Sequence, residues 1–121
     1  MTDENVVVFV CPHGAGKSRL AAAWFNALDV PGWHATSAGL EPQPGVSVHA
    51  ARLLAGTPVR DLLDEEPPRP LSAVPDPDLV VTIDCPGPVG GTSWRLAHVA
   101  FDDAMCAEIR DRVRALAETL T

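Results

Sequence analysis

No apolar run in this chain approaches the roughly 18 residues that a membrane span needs, and the opening MTDEN is acidic and polar, unlike a secretory leader. The expectation is a cytoplasmic protein that does not engage a membrane. Cysteines are few and odd in number, three, with no CxxC pair, and no His/Cys cluster has zinc-site spacing. A disulfide scaffold and a structural zinc are disfavoured, and free thiols are available for chemistry. Basic residues are scarce, nine against sixteen acidic, for a net charge of -7. Non-specific nucleic-acid binding, which depends on Lys and Arg neutralising phosphates, is therefore not expected. An anionic ligand would have to be held by local donors against the global field. At 121 residues the chain can bury one core but not a second. Residues 1-121 are read as a single domain with no internal repeat, so partners bind at its edges.

What is present alternates. Residues 5 to 10, NVVVFV, are a β-branched and aromatic run suited to a strand buried on both faces. From Ser18, the residues Leu20, Ala21, Trp24, Phe25 and Leu28 fall at three- and four-residue spacings, which predicts a helix to about Asp29, stopped by Pro31-Gly32. WHATSAG (33 to 39) reads as a second strand and VSVHAARLLAG (46 to 56) as a helix closed by Gly56. Residues 57 to 77 hold six of the twelve prolines and the acidic run Asp64-Glu65-Glu66, which predicts an irregular surface connection with a solvated charge cluster. DLVVTID (78 to 84) is a third strand, CPGPVGGTS a loop, RLAHVAF (95 to 101) a fourth strand, and the chain from Asp103 an amphipathic helix with its stripe on Met105, Ile109, Val113, Leu116 and Leu120. The fold class expected is α/β, with a four-stranded parallel sheet and helices on both faces. Ligands in such sheets bind beyond the carboxyl ends of the strands, where the 11 to 17 loop, Asp84 and the 102 to 103 pair would emerge.

The segment CPHGAGKS (11 to 18) joins the first strand to the first helix. Small-residue loops in that position cradle phosphate with backbone amides and a helix N-terminus. Two chemistries use the plan. In a nucleotide-binding loop, Gly16-Lys17-Ser18 would close a GxxxxGK[ST] motif, but Cys11 stands where the first Gly belongs; Asp84 would then be a magnesium-binding acid. In the other, Cys11 is a nucleophile whose thiolate the loop amides and helix dipole favour. Ser18 would donate a hydrogen bond to that thiolate, and Lys17 would neutralise oxyanion oxygens. The loop residues Pro12, His13, Gly14, Ala15 and Gly16 would surround a phosphate, with His13 a further donor.

The cysteine at the end of the first strand, Ser18 seven residues on, TSAGL at 36 to 40 and HVAFDDA at 98 to 104 together resemble the low-molecular-weight protein tyrosine phosphatases and the thioredoxin-coupled arsenate reductases. The resemblance runs over nearly the whole length. It implies the four-stranded sheet named above and a phosphocysteine mechanism without metal or cofactor. Cys11 would attack phosphorus, the 12 to 17 loop would hold the oxygens, and Asp103 would be the general acid and then the base, with Asp102 as its alternate. The substrate implied is a phosphorylated protein or a small phosphate or oxyanion.

The chain departs from the pattern at informative positions. The signature Arg is Lys17, an ammonium in place of a bidentate guanidinium, which predicts reduced turnover. Arg19 follows, but one residue along a helix turns about 100° away. Ala104 replaces Pro after the acid, and with no tyrosine in the chain, Trp94 or Trp33 would have to supply an aromatic wall. A reductase relay needs two further cysteines near the end of the third strand. Cys85 is displaced by one from the first position, 86 to 93 contain no second, and Cys106 reads as a packed thiol. Four readings stay open: phosphate-monoester hydrolase, arsenate reductase-like enzyme, catalytically impaired oxyanion binder, and nucleotide binder.

Overall fold

The β-branched run at the N-terminus does form a strand, and it is the centre of the molecule. The computed structural model describes residues 5–13, 16–41, 48–64, 66, 68–74, 76–85, 91–98 and 102–120, apart from the side chains of 48 and 49. Strand β1 (Asn5–Cys11) lies between β2 (Trp33–Gly39) and β3 (Leu79–Ile83), and β4 (Thr92–Trp94) pairs with β3. The order is β2-β1-β3-β4 with every pairing parallel, so all carboxyl ends share one edge. There Cys11 is level with Gly39, and Ile83 with Trp94.

Alternation along β1 divides the interior in two. Val7, Phe9 and Cys11 face a core built with helices α1 (Lys17–Ala27), α2 (Val48–Leu54) and α3 (Asp103–Leu120), through Leu20, Phe25, Leu54, Met105, Ile109 and Val113. Phe9 tilts against Phe25 and Trp94, with ring centroids 6.2 and 5.7 Å away. Val8 and Val10 face a smaller cluster with Ala38, Val74 and Cys85, covered by Leu71 of a 3₁₀ helix (Leu71–Ala73). Helical segments thus cover both faces, α-helices on one and a 3₁₀ turn on the other.

Helix α1 ends two residues before the expected Asp29, because Asp29 turns into the left-handed region (φ 51) and the amides of Leu28 and Asp29 close back on Phe25 and Asn26. The Asn26 side chain takes both backbone groups of Ala35, at 3.1 and 2.8 Å, which fixes α1 against the edge strand β2.

Two expectations are corrected. The fourth strand is Thr92–Trp94, not 95 to 101. The amides of Leu96, Ala97 and His98 go to the carboxylates of Asp84 and Glu108 instead of a ladder; residues 99 to 101 lie outside the described set. Gly91 enters β4 with φ 74, and a Cβ there would run into the Val80 carbonyl oxygen, so glycine permits the close approach to β3. The 57 to 77 connection is irregular, as expected, but not all surface. Val59 and Leu63 join the larger core and Val74 the smaller, while Gly39 bridges Pro70 and donates to the Arg69 carbonyl at the free edge of β2.

Candidate active site

The last residue of β1 and the first turn of α1 meet. Cys11 is 4% exposed, Ser18 is fully buried, and Cys11 Sγ lies 3.1 Å from Ser18 Oγ. The thiol can donate to the hydroxyl, and the hydroxyl can donate to the sulfur once it is a thiolate. Gly16 precedes α1 without a side-chain cap, and no acidic side chain sits in the first turn, so no residue of that turn offsets the helix dipole there. The chain after β2 braces the loop: Leu40 N donates to the Cys11 carbonyl (3.3 Å), Glu41 N to the Pro12 carbonyl (2.8 Å), and His13 Nδ1 lies 3.3 Å from the Glu41 carbonyl. Leu40 is the TSAGL residue that takes part in this brace. His13 is exposed and Pro12 half-buried; Gly14 and Ala15 lie outside the described residues.

Lys17 is paired. Its Nζ is 2.8 Å from Asp84 Oδ2, the side chains 15% and 17% exposed. Asp84 follows β3 directly, in the left-handed region (φ 52); its amide donates to the Trp94 carbonyl, and its Oδ1 accepts from Leu96 N at 2.9 Å. Sequence reasoning placed Asp84 at this edge without foreseeing that it would hold Lys17; the available signal was an acid at the exit of an apolar strand next to a phosphate-type loop.

Arg19 leaves the loop, as its position one residue round the helix implied. Its side chain is fully buried, Nη1 donates to the Asp64 carbonyl, and Nη1 stands 3.8 Å from Asp64 Oδ1. Burial pushes its pKa down, partly offset by the Asp64 charge. Arg69 donates to Asp64 Oδ2 (2.7 Å), Thr36 Oγ1 (3.1 Å) and the Ser37 carbonyl (2.9 Å). Burial pushes the Asp64 carboxyl up, yet the hydrogen bonds from Arg69 and Glu66 N and the two guanidinium charges hold it below the usual aspartate range. Asp64 is therefore an ion-pair centre, not part of a solvated run; Glu66 is exposed and Glu65 lies outside the described residues.

Asp102 Oδ1 accepts from Met105 N at 2.9 Å, capping α3. Asp103 is the exposed first residue of that helix. All three cysteines are free and buried. Cys85 belongs to the smaller cluster, its Sγ 3.4 Å from the Val10 carbonyl, whereas Cys11 faces the α-helical core. Burial raises the thiol pKa of both Cys85 and Cys106. Trp33 pairs with Asn5 at the opposite edge of the sheet from Cys11, and Trp94 is buried on Phe9; neither lines the loop as an open aromatic wall. Among the described residues no group of three His, Cys, Asp or Glu is placed to hold a metal ion.

No protein-family model matches the chain. No curated protein matches it. Solved structures do. An arsenate reductase from Archaeoglobus fulgidus is 31% identical over 93% of this chain and 98% of its own, with a TM-score of 0.73. A low-molecular-weight protein tyrosine phosphatase from T. tengcongensis is 19% identical (96% of this chain, 99% of its own, TM-score 0.69). An arginine phosphatase from Geobacillus stearothermophilus is also 19% identical (96% and 92%, TM-score 0.69). The last two speak for the fold alone. The first shares almost the full length at an identity that reaches beyond the fold, and with its cysteine-to-serine contact at the strand–helix junction this chain belongs to the family of arsenate reductases and low-molecular-weight protein tyrosine phosphatases.

Proposed function

We propose that the chain is a cysteine-dependent phosphate-monoester hydrolase acting on a phosphorylated protein or a small phosphate ester. The observation that carries this reading is the buried 3.1 Å contact between Cys11 Sγ and Ser18 Oγ at an uncapped helix start. The Cys11 thiolate forms a bond to phosphorus as the ester P–O bond breaks, and Asp103 gives its proton to the departing oxygen. Water then attacks phosphorus, Asp103 takes the water proton, and the S–P bond breaks to return thiolate and release phosphate. Ser18 supports the thiolate at both ends of the cycle, and no metal or cofactor takes part.

Lys17 supplies the positive charge, but as a point charge already 2.8 Å from Asp84. Relative to a guanidinium, loss of one charge-assisted hydrogen bond of about 1.5–3 kcal/mol corresponds to roughly ten- to a hundredfold in rate. The test is p-nitrophenyl phosphate hydrolysis by wild type, Cys11→Ser, Asp103→Asn and Lys17→Arg. Turnover lost in Cys11→Ser, reduced in Asp103→Asn and raised in Lys17→Arg supports the reading. Vanadate binding without turnover in any variant leaves an oxyanion-binding domain.

A second reading, arsenate reduction, is favoured by the name of the 31% identical neighbour. It requires Cys11 to meet a second thiol, while Cys85 lies on the other face of the sheet. Arsenate-dependent thiol consumption that is lost in Cys85→Ser would establish it.

A further inference from the structure

The Lys17 ammonium beside the nucleophile is balanced by a fixed carboxylate. Lys17 opens α1, and Ser18, the next residue, lies 3.1 Å from Cys11 Sγ. Asp84 reaches the same place from β3, which runs parallel to β1 with Val10 level with Thr82. Cys11 follows the first of these by one residue and Asp84 the second by two. Lys17 Nζ is 2.8 Å from Asp84 Oδ2, and both side chains are mostly buried. The other carboxylate oxygen, Oδ1, accepts from Leu96 N at 2.9 Å, so Asp84 is anchored to the backbone and does not depend on Lys17 to stay in place. The remaining charged groups nearby are turned elsewhere or screened. Arg19 and Arg69 both face Asp64. Burial raises the Cys85 thiol, which is neutral at neutral pH. His13, and Glu41 on the chain that braces the loop, are exposed, where water and salt screen them. An anion held at Cys11 therefore meets Lys17 and Asp84 together, a pair whose charges sum to zero.

We propose that Asp84 is a specificity residue that sets the charge class of the ligand: with Lys17 neutralised, the loop favours singly charged tetrahedral oxyanions, a phosphate ester carrying one negative charge among them, over doubly charged ones. The inference deepens the hydrolase reading above and rests on its oxyanion-binding loop. Coulomb energy is proportional to the charge of the ligand, so a fixed carboxylate opposes a dianion twice as strongly as a monoanion at the same position. Burial of the pair keeps salt from erasing that difference, as it would for charges in open solvent.

Perchlorate and sulfate separate charge from shape, because both are tetrahedral, neither titrates near neutral pH, and they carry one and two negative charges. Their binding at the loop is read as protection of Cys11 from iodoacetamide at fixed ionic strength, in wild type and Asp84→Asn. Asparagine keeps an oxygen for Leu96 N and is tolerated in the left-handed region that Asp84 occupies (φ 52), so the variant retains the local fold. Asp84→Asn is expected to bind perchlorate at least roughly threefold more tightly, and sulfate by the square of that factor, at least about tenfold. Lys17→Gln should weaken both anions, sulfate more steeply. The double variant Lys17→Gln/Asp84→Asn has the same charge sum as wild type, so its ratio of sulfate to perchlorate affinity should lie nearer to wild type than that of either single variant. Equal changes for the two anions, a larger gain for perchlorate than for sulfate, or weaker binding of both in Asp84→Asn would show that Asp84 acts through loop geometry, and would overturn the inference while leaving the hydrolase standing. Absence of protection by either anion in both proteins would overturn the inference alone where p-nitrophenyl phosphate turnover that Cys11→Ser abolishes persists, and both readings where it does not.

Discussion

Asp84 shows how much one side chain decides at the loop. Its carboxylate holds Leu96 N with one oxygen and Lys17 with the other, so the ammonium that should face an oxyanion is shared with a fixed anion. Asp84→Asn separates the two tasks, since the amide oxygen still accepts from Leu96 while the negative charge is gone. The pair is largely buried, so releasing Lys17 is worth at least the ~1 kcal/mol of an exposed pair, and the variant is expected to bind vanadate at least roughly threefold to tenfold more tightly by inhibition or calorimetry. Weaker binding would mean that Asp84 orients Lys17 and does not compete for it. Asp64 gives a pH prediction. Its carboxyl is held below the ordinary range by Arg69, Glu66 N and Arg19 against the cost of burial. A depressed carboxylate stabilises the fold above its unfolded pKa, and that contribution is lost as pH falls through the folded value. Urea midpoints should therefore drop for wild type below about pH 4, and less steeply for Asp64→Asn, whose plateau at neutral pH should lie lower. At this scale the sequence made the Cys11–Ser18 contact legible, because the two lie seven residues apart across one loop. It could not show the pairings of Lys17 with Asp84, 67 residues apart, or of Arg19 with Asp64, 45 apart.

At the level of elements, periodicity located what tertiary contacts did not override. β1 is buried from Val7 to Cys11, β2 spans the expected 33 to 39, and α3 places Ile109, Val113 and Met105 on one buried stripe. Ile109 is fully buried, and Ile109→Ala should cost about 2–5 kcal/mol in urea denaturation. A loss under 1 kcal/mol would show that α3 is not packed as described. The fourth strand was misplaced because Leu96, Val99 and Phe101 mimic a strand pattern, while the amides of 96 to 98 are captured by carboxylates from β3 and α3. A hydrophobic count cannot see a competitor for backbone hydrogen bonds contributed by a helix that follows in sequence.

For the molecule as a whole, the sheet is a partition. Cys11 packs in the α-helical core and Cys85 in the smaller cluster behind it, so a disulfide between them requires at least one of the two side chains to leave its cluster. Cys85→Ser is accordingly expected to keep its p-nitrophenyl phosphate rate within twofold, and arsenate-treated protein should show no Cys11–Cys85 disulfide by peptide mass mapping. Such a disulfide, formed in step with arsenate loss, would move the chain to the reductase side of its family. In the proposed cycle Cys11 becomes phosphorylated and the phosphocysteine is then hydrolysed. Rapid mixing of stoichiometric protein with p-nitrophenyl phosphate tests it most directly: wild type should release p-nitrophenol in a burst approaching one equivalent per chain, followed by slower steady turnover, and Cys11→Ser should release none. Equal release by both proteins, or none by wild type at substrate concentrations that displace bound vanadate, would contradict it.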